Sequence, residues 1–337
     1  MTQLTVLMPV FNAEKHLKEA MDSILSQTFE AFEFLIIDDG STDHSAAIVQ
    51  SYKDPRIRFY QNKVNLGLTP TLNKGIKLAT TELIARMDAD DISYPNRLFK
   101  QVEYLQANPD CAFVSSLARV VTEDGQFVRV DRFKSEHFYY NLTFFSWIYH
   151  PTVVYRKKAV EEVNMYTVDY SEDYELFWQL SRRHKFYNLP EVLLTYRESA
   201  ESLHMVTKKA EYDRAHYEQL LRNLRYYAGD NYDLPHSYLE CFRHNFEPLL
   251  AQRKLGNIIS CVKELDYITG CILSKKENIN YDAAAIKKAA KYKRDYIISH
   301  FTRHLSIFQK AFLILQLIPS KEILKSLRAY LYVSIKN

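Results

Sequence analysis

Phe32-Glu33-Phe34-Leu35-Ile36-Ile37-Asp38-Asp39-Gly40-Ser41-Thr42-Asp43 is the stretch from which the rest of the chain can be read. An apolar run of strand length ends on two adjacent carboxylates. A glycine follows, free to take an unusual φ, and then three residues that can cap a helix. The run is apolar on both faces, which predicts a buried strand, and its ending predicts a turn into a helix. The same phrase occurs on either side. Leu4 to Val10 is a short apolar run closing on Pro9-Val10-Phe11-Asn12, and Leu17, Ala20, Met21, Ile24 and Leu25 then recur at helical spacing. A helix over 46–52, a strand over Ile57 to Gln61, a helix over Leu68 to Leu78 and a strand over Leu83 to Met87 continue the alternation. Strands alternating with helices through short connections predict a mostly parallel sheet with helices on its faces. Such sheets bind ligands at the carboxyl ends of their strands. Phe11-Asn12, Asp38-Asp39 and Asp88-Ala89-Asp90-Asp91 all stand at such ends.

Composition limits the possibilities. The 337 residues are 47% hydrophobic and 25% charged, an ordinary globular balance. Only seven residues are glycine, and neither GxGxxG nor GxxxxGK[ST] occurs, which excludes the dinucleotide fingerprint and the phosphate-binding loop. The net charge of +3 hides a division. Residues 1–204 carry 22 basic and 28 acidic side chains, and residues 205–337 carry 22 basic and 13 acidic. The N-terminus lacks the basic and apolar regions of a signal peptide, so a cytoplasmic chain is expected. Cys111, Cys241, Cys261 and Cys271 show no metal-binding spacing and are expected as free thiols.

Further along, a helix from Pro95 to about Asn108 precedes an apolar stretch from Cys111 to Val121, a turn at Asp124-Gly125 and a return strand over Phe127 to Val130. The aromatic residues between 133 and 149 are expected in the core. A strand over Thr152 to Tyr155, a helix over Asp173 to Arg182 and a strand over Val192 to Tyr196 follow. Past about 205 the texture becomes helical and basic. The expected domains are therefore 1–204, carrying the chemistry, and 205–337, a helical extension.

Two acidic clusters can carry chemistry. Asp88 and Asp90, one residue apart on a loop after a buried strand, can approach one divalent cation, and hard oxygen ligands suit Mg²⁺ or Mn²⁺. Ser171-Glu172-Asp173-Tyr174-Glu175 reads either as the acidic N-terminus of a helix, which its dipole favours, or as the seat of a general base. The residues alone leave both open.

Taken together, Pro9-Val10-Phe11-Asn12, Ser26-Gln27-Thr28-Phe29, Asp38 to Asp43, Asn65-Leu66-Gly67, Asp88 to Asp91 with Pro95 and Arg97-Leu98, His150-Pro151, Glu172 to Glu175 and Tyr196-Arg197 resemble the family 2 glycosyltransferases in order and spacing. The resemblance covers roughly 2–204 and is similar to bacterial enzymes of lipooligosaccharide, capsule and O-antigen synthesis, including β-1,3-N-acetylglucosaminyltransferases. It implies an α/β fold of the GT-A type. It also implies inverting transfer from a nucleoside-diphosphate sugar, with a UDP-sugar as the donor class, to a hydroxyl of a surface-glycan acceptor, glycan or lipid-linked. Carried over position by position, Phe11 lies against the base and Asp39 bonds its ring nitrogen, within a donor set of Pro9, Phe11, Asn12, Asp39, Asn65, Asp88 and Ala89. Asp90 is the metal ligand, for Mn²⁺ or Mg²⁺. Asp173 is the catalytic base. Glu172, Glu175, His150 and Arg197 position acceptor or sugar. Many relatives carry a His two residues after the Tyr-Arg pair; here the position is Ser199, with His204 as a possible substitute.

Two other classes compete. A nucleotidyltransferase also uses a sheet, carboxylates and a metal, but usually opens with a glycine-rich loop that Pro9 to Ala13 lacks. A non-catalytic sugar-nucleotide-binding protein would keep the pocket without turnover. The basic segment, with Lys287, Lys288, Lys291, Lys293, Arg294, Arg303, Lys310, Lys321, Lys325 and Arg328 around Ile307, Phe308, Ala311, Phe312, Ile314, Leu315 and Ile318, reads either as a helix lying on an anionic membrane surface or as one packed internally. No nucleic-acid motif accompanies it.

Overall fold

The computed structural model describes residues 2–198 and 208–317. The strands are β1 (Leu4–Val10), β2 (Phe32–Asp38), β3 (Ile57–Gln61), β4 (Leu83–Arg86), β5 (Ile92–Ser93), β6 (Cys111–Thr122), β7 (Phe127–Val130), β8 (Val154–Arg156) and β9 (Lys185–Glu198). Between the early strands lie α1 (Leu17–Leu25), α2 (Ser45–Ser51), α3 (Leu68–Leu78) and α4 (Arg97–Ala107), followed by α5 (Phe138–Asn141), α6 (Lys157–Glu162) and α7 (Glu172–Arg183). The rest is helical: α8 (Lys209–Ala228), α9 (His236–Phe242), α10 (Glu247–Leu250), α11 (Leu255–Ser274), α12 (Ala283–Thr302) and α13 (Ile307–Leu317).

The sheet runs in the order β3-β2-β1-β4-β8-β6-β9-β5, with β7 on β6. Its first four strands are parallel, as the alternation predicts. β8 joins them antiparallel to the second half, where β6 and β9 are again parallel. β1, β2 and β4 are buried along their whole length, which explains why they read as unbroken apolar runs. Pro9 sits inside β1, a central strand, without breaking the ladder. The last pairing of β1 with β4 is Leu7 with Arg86, so the N–H that Pro9 lacks falls past the paired residues.

Helix α3 packs closely on β1: a Cβ at Gly75 would stand 2.3 Å from a methyl of Leu7. The aromatic stretch is core only in part: Phe138, Tyr139, Tyr140 and Phe144 are buried, whereas Phe133, Phe145, Trp147 and Tyr149 are half-buried, with Phe133 stacked on Trp147 at 4.5 Å. Strand β9 is longer than its sequence reads. Lys185 to Glu191 mixes polar and apolar residues and contains Pro190, and the pairing skips from Leu189 to Val192 there. Cys111, Cys241 and Cys261 are buried free thiols, and Cys271 is half-buried.

The chain divides into two compact units. The first takes the described residues up to Gln219 together with Glu277–Tyr281, and the second takes 220–276 and the described residues from Asp282 onward. The division falls inside α8, fifteen residues beyond the boundary expected at 204. The short return segment is fixed to the first unit by side-chain amides. Asn278 donates to the Tyr139 hydroxyl at 2.6 Å, and Asn280 donates to the carbonyls of Ser181 and His184 at 2.5 and 2.7 Å.

In the second unit Lys293 is not among the surface cations expected of it. It is 2% exposed and donates to the Phe242 carbonyl at 2.5 Å. Arg294 pairs with Asp266. Helix α13 turns Leu313 and Leu317 inward and leaves Ile307, Phe308, Phe312 and Leu315 exposed. No helix among the described residues is long and apolar enough to cross a membrane. Ser199, His204, Ile318, Lys321, Lys325 and Arg328 lie outside the described residues.

Candidate functional site

The parallel strands β2, β1 and β4 end side by side. Val10 is level with Asp38, and the residues just past each end are bound to the neighbouring strand: Asp39 N–H donates to Val10 O at 2.7 Å and Met87 N–H to Leu7 O at 3.1 Å. Phe11-Asn12, Asp39 and the acidic loop after β4 therefore share one edge. Asn12 takes a positive φ of 48°, and its side-chain oxygen accepts from Thr42 N–H at 2.8 Å while its own N–H donates to Ser41 Oγ at 2.9 Å. Phe11 is left 43% exposed at the rim.

Asp39 is only 4% exposed. One carboxylate oxygen accepts from Asn62 Nδ2 at 2.7 Å and Leu66 N–H at 3.0 Å, and the other from Gly67 N–H at 2.8 Å. Three protein donors thus occupy most of its accepting capacity, leaving little beyond one lone pair for a ligand. Asn65 is exposed on the loop that Asp39 organises. Gly40, at φ +74°, lies against that loop so closely that a Cβ would meet Val64 C at 2.7 Å and Asn65 N at 2.8 Å. Asn62 was not singled out in the sequence, because a single buried amide carries no pattern.

The acidic loop holds Asp88, Asp90 and Asp91 with carboxylate oxygens all within 4.8 Å of one another. Burial, then the charge of Asp88, pushes Asp90 up to about 6. Burial and both neighbouring carboxylates push the fully buried Asp91 well above the ordinary range. Asp91 Oδ2 is buried with no hydrogen-bond partner among the described residues. Three crowded carboxylates with an orphaned oxygen fit a hard divalent cation, whose charge would relieve both the repulsion and the unmet acceptor.

A second acidic pair comes from the N-terminus of α7. Burial, then the charge of Asp173, pushes Glu172 up to about 8, and burial pushes Asp173 up to about 6. Asp173 Oδ1 accepts from Tyr174 N–H at 2.7 Å. His150 Nε2 lies 2.7 Å from the Tyr166 hydroxyl, and its Nδ1 is 3.9 Å from Glu172. Burial and the charge of Arg86 keep this imidazole neutral, well below its usual range. Glu175 is buried farther along α7, with its carboxylate accepting from Gln179 at 2.6 Å.

Between the two acidic groups stands Arg86, the last residue of β4. It is 2% exposed, ion-paired with Asp88, and has a buried Nε with no hydrogen-bond partner among the described residues. Its charge lowers Asp90, Asp91, Glu172 and Asp173 alike. Arg197, at the end of β9, ties the loop down. Its backbone N–H donates to Asp91 Oδ1 at 2.8 Å and its guanidinium to Asp90 O at 3.0 Å, Glu123 O at 2.8 Å and Glu19 at 3.0 Å.

The structure therefore gathers Asp88, Ala89, Asp90, Glu172, Asp173, His150 and Arg197 around one centre. Asp39, Asn65, Asn12 and Phe11 lie along the adjoining edge, with Pro9 buried in the strand behind. Tyr166 joins the centre without having been singled out, and Arg86 and Asp91 join it without having been given a role. Their cue was indirect: a cation closing an otherwise apolar strand, Leu83 to Arg86, is costly to bury unless acids await it.

Residues 5–163 match the family described as glycosyl transferase family 2. The chain is 31% identical over 209 residues to an uncharacterised glycosyltransferase of Haemophilus influenzae, covering 58% of this chain and 65% of that protein, just under two thirds of its length. It is 30% identical over 230 residues to the amylovoran biosynthesis glycosyltransferase AmsE of Erwinia amylovora, covering 66% of this chain and 85% of that one. Among solved structures, residues 1–349 of S. aureus TarS, in complex with UDP-GlcNAc, superpose with a TM-score of 0.58 over 91% of this chain and 93% of that one, at 16% identity, which establishes a common fold. By sequence and by fold, the chain belongs to glycosyl transferase family 2.

Proposed function

We propose that the first unit transfers a sugar from a nucleoside-diphosphate donor, a UDP-sugar by preference, to a hydroxyl of a surface-glycan acceptor, with inversion at the anomeric carbon. The observation that carries this reading is the pairing of two acidic groups, Asp88-Asp90-Asp91 and Glu172-Asp173, about one buried arginine. One group suits a cation on a diphosphate; the other offers a base beside it.

Asp90 would hold Mn²⁺ or Mg²⁺, with Asp88 and Asp91 close by. A divalent ion bound there supplies a Lewis acid that offsets charge on the departing diphosphate. Asp173 accepts the proton of the acceptor hydroxyl as its oxygen attacks the anomeric carbon opposite the leaving group. A single displacement with one base inverts that centre. Glu172 keeps its proton at neutral pH and so can donate a hydrogen bond where Asp173 accepts one. His150, neutral, orients Glu172 and Tyr166, while Glu175 braces α7 behind them. Arg197 fixes the backbone of the Asp90-Asp91 loop. Phe11 and the free lone pair of Asp39 face the base, and Asn12, Asn65, Pro9 and Ala89 shape the donor edge.

The relative AmsE is named for amylovoran biosynthesis, and TarS was solved with UDP-GlcNAc. Both agree with a sugar-nucleotide donor and a glycan acceptor. The exposed apolar residues of α13, in a unit where Lys287, Lys288 and Lys291 are exposed and Lys310 is partly so, support peripheral contact with an anionic membrane surface, where a lipid-linked acceptor would lie.

Thermal unfolding with a panel of UDP-, GDP- and dTDP-sugars, with Mn²⁺ or with EDTA, tests the reading. A ligand bound only by the folded protein raises its melting temperature with concentration. We expect a UDP-sugar with Mn²⁺ to do so and EDTA to cancel the shift. No shift with any sugar nucleotide would discard the donor site. Release of pyrophosphate in place of nucleoside diphosphate would assign the chain to nucleotidyl transfer.

A further inference from the structure

Tyr170, immediately before the acidic start of α7, has φ +62°. A bulky L residue rarely occupies that region, and such strain persists only where the surroundings enforce it. Here the enforcement comes from the start of α8, within the same unit. Lys208 Nζ donates to the Tyr170 hydroxyl at 2.9 Å and lies 5.1 Å over its ring. The Tyr212 ring meets Tyr170 edge-on at 5.0 Å, and His216 follows one turn later, 6.5 Å from Tyr212 and 6.3 Å from Tyr174. Tyr170, Lys208, Tyr212 and His216 are all partly exposed, so this is a wall and not a core.

The wall adjoins the proposed base. Burial, and after it the charges of Glu172 and Asp173, push the Tyr212 hydroxyl above its ordinary range. Ser171, between Tyr170 and Glu172, has a buried hydroxyl with no partner among the described residues. Rings beside polar groups match the two faces of a sugar: C–H bonds that lie flat on aromatic surface, and hydroxyls around the rim. Donor-binding groups occupy the ends of β1, β2 and β4. The rings stand instead on the α7 side, where the attacked hydroxyl must lie if Asp173 is the base.

We propose that Tyr170 and Tyr212, held by Lys208, form the acceptor subsite, a platform for the pyranose ring whose hydroxyl Asp173 deprotonates. The proposal rests on the transfer reading above. It also gives the start of α8, beyond the segment that matches the family, a part in choosing the acceptor.

The test uses the full chain, the sugar nucleotide it turns over, and p-nitrophenyl pyranosides of several configurations as probes, with nucleoside diphosphate release as the readout. At least one pyranoside should raise release above the rate with water. For that probe, Tyr212→Ala should raise KM about tenfold while the donor KM stays put, and Tyr212→Phe should restore most of the difference. Tyr170→Gly separates strain from recognition. Glycine accepts φ +62° without penalty, so the variant should fold as well as the parent and still lose acceptor affinity. An unchanged acceptor KM in both ring-deleting variants overturns the proposal, as does a parent enzyme that hydrolyses donor but responds to no pyranoside. Absence of any donor turnover would instead refute the transfer reading on which it stands.

Discussion

Each unit of the molecule buries charge, and each does so differently. In the first, Asp90, Asp91, Glu172 and Asp173 crowd around Arg86, all four displaced toward their protonated forms, and Asp91 keeps an oxygen with no hydrogen-bond partner among the described residues. In the second, Lys293 is buried and its amine donates to the Phe242 carbonyl at 2.5 Å, beside the thiols of Cys241 and Cys261. Both arrangements are unfavourable for the isolated fold. The first is unfavourable in a way that a bound cation and diphosphate would correct, whereas no ligand is needed to account for the second. Buried charge alone therefore does not mark a site; an excess of one sign at converging strand ends does.

If that distinction is right, the largest effects should come from the acidic centre and leave the fold intact. Asp173→Asn keeps the shape of the side chain but cannot accept a proton. Transfer should fall by about 10²–10⁴-fold, with the melting temperature unchanged or raised because a repelling carboxylate is gone. Asp90→Ala should abolish the Mn²⁺-dependent thermal shift as well as turnover. Stopped-time product assays beside melting curves decide it: full activity in purified Asp173→Asn removes the base assignment, and loss of folding in both variants would make the centre structural.

Much of this centre was legible in the sequence. Leu4 to Val10, Phe32 to Ile37 and Leu83 to Met87 read as strands because burial on both faces leaves no polar alternation, and the acids stood out against them. What could not be read was how those acids meet. Arg86 looks like one cation among 44 Lys and Arg residues until Asp88 and Glu172 are placed around it. Asp39 reads as a ligand contact, yet Asn62, Leu66 and Gly67 claim most of it. Strand β9 hid its first half behind Pro190, and the boundary in α8 hid because a helix that crosses between units keeps one continuous periodicity. Lys293 was counted with the surface cations because nothing in Lys291 to Arg294 distinguishes the inward residue.

A smaller effect should follow pH. Asp173, pushed up to about 6, must be ionised to accept a proton, so turnover should hold at neutral pH and fall about tenfold per unit as pH drops below about 6. Glu172, higher still, titrates with it as a coupled pair. Glu172, pushed up to about 8, already holds its proton where Asp173 titrates, so Glu172→Gln removes no charge there and should leave the acid limb in place. An acid limb that moves to lower pH in that variant would mean that Glu172 is ionised beside Asp173 in the working enzyme.

The smallest effect belongs to the second unit, and its sign changes with pH. Burial pushes Lys293 down to about 7, with the nearby thiols opposing the shift. Unfolded, the same lysine titrates near its ordinary value of about 10.4. Between those values the unfolded chain holds a proton that the folded one does not, so stability rises as pH climbs from about 7 to about 10. Lys293→Met abolishes that dependence but leaves the Phe242 carbonyl without its donor, at a cost of about 1–3 kcal/mol. At pH 7 the removed ionisation outweighs the lost bond, and the variant should melt a few degrees higher than the parent. Near pH 10 only the lost bond remains, and the variant should melt lower. Melting curves of both proteins at the two pH values read the crossover directly; parallel curves would mean that Lys293 keeps its proton in the folded protein, and that this unit too holds a buried charge.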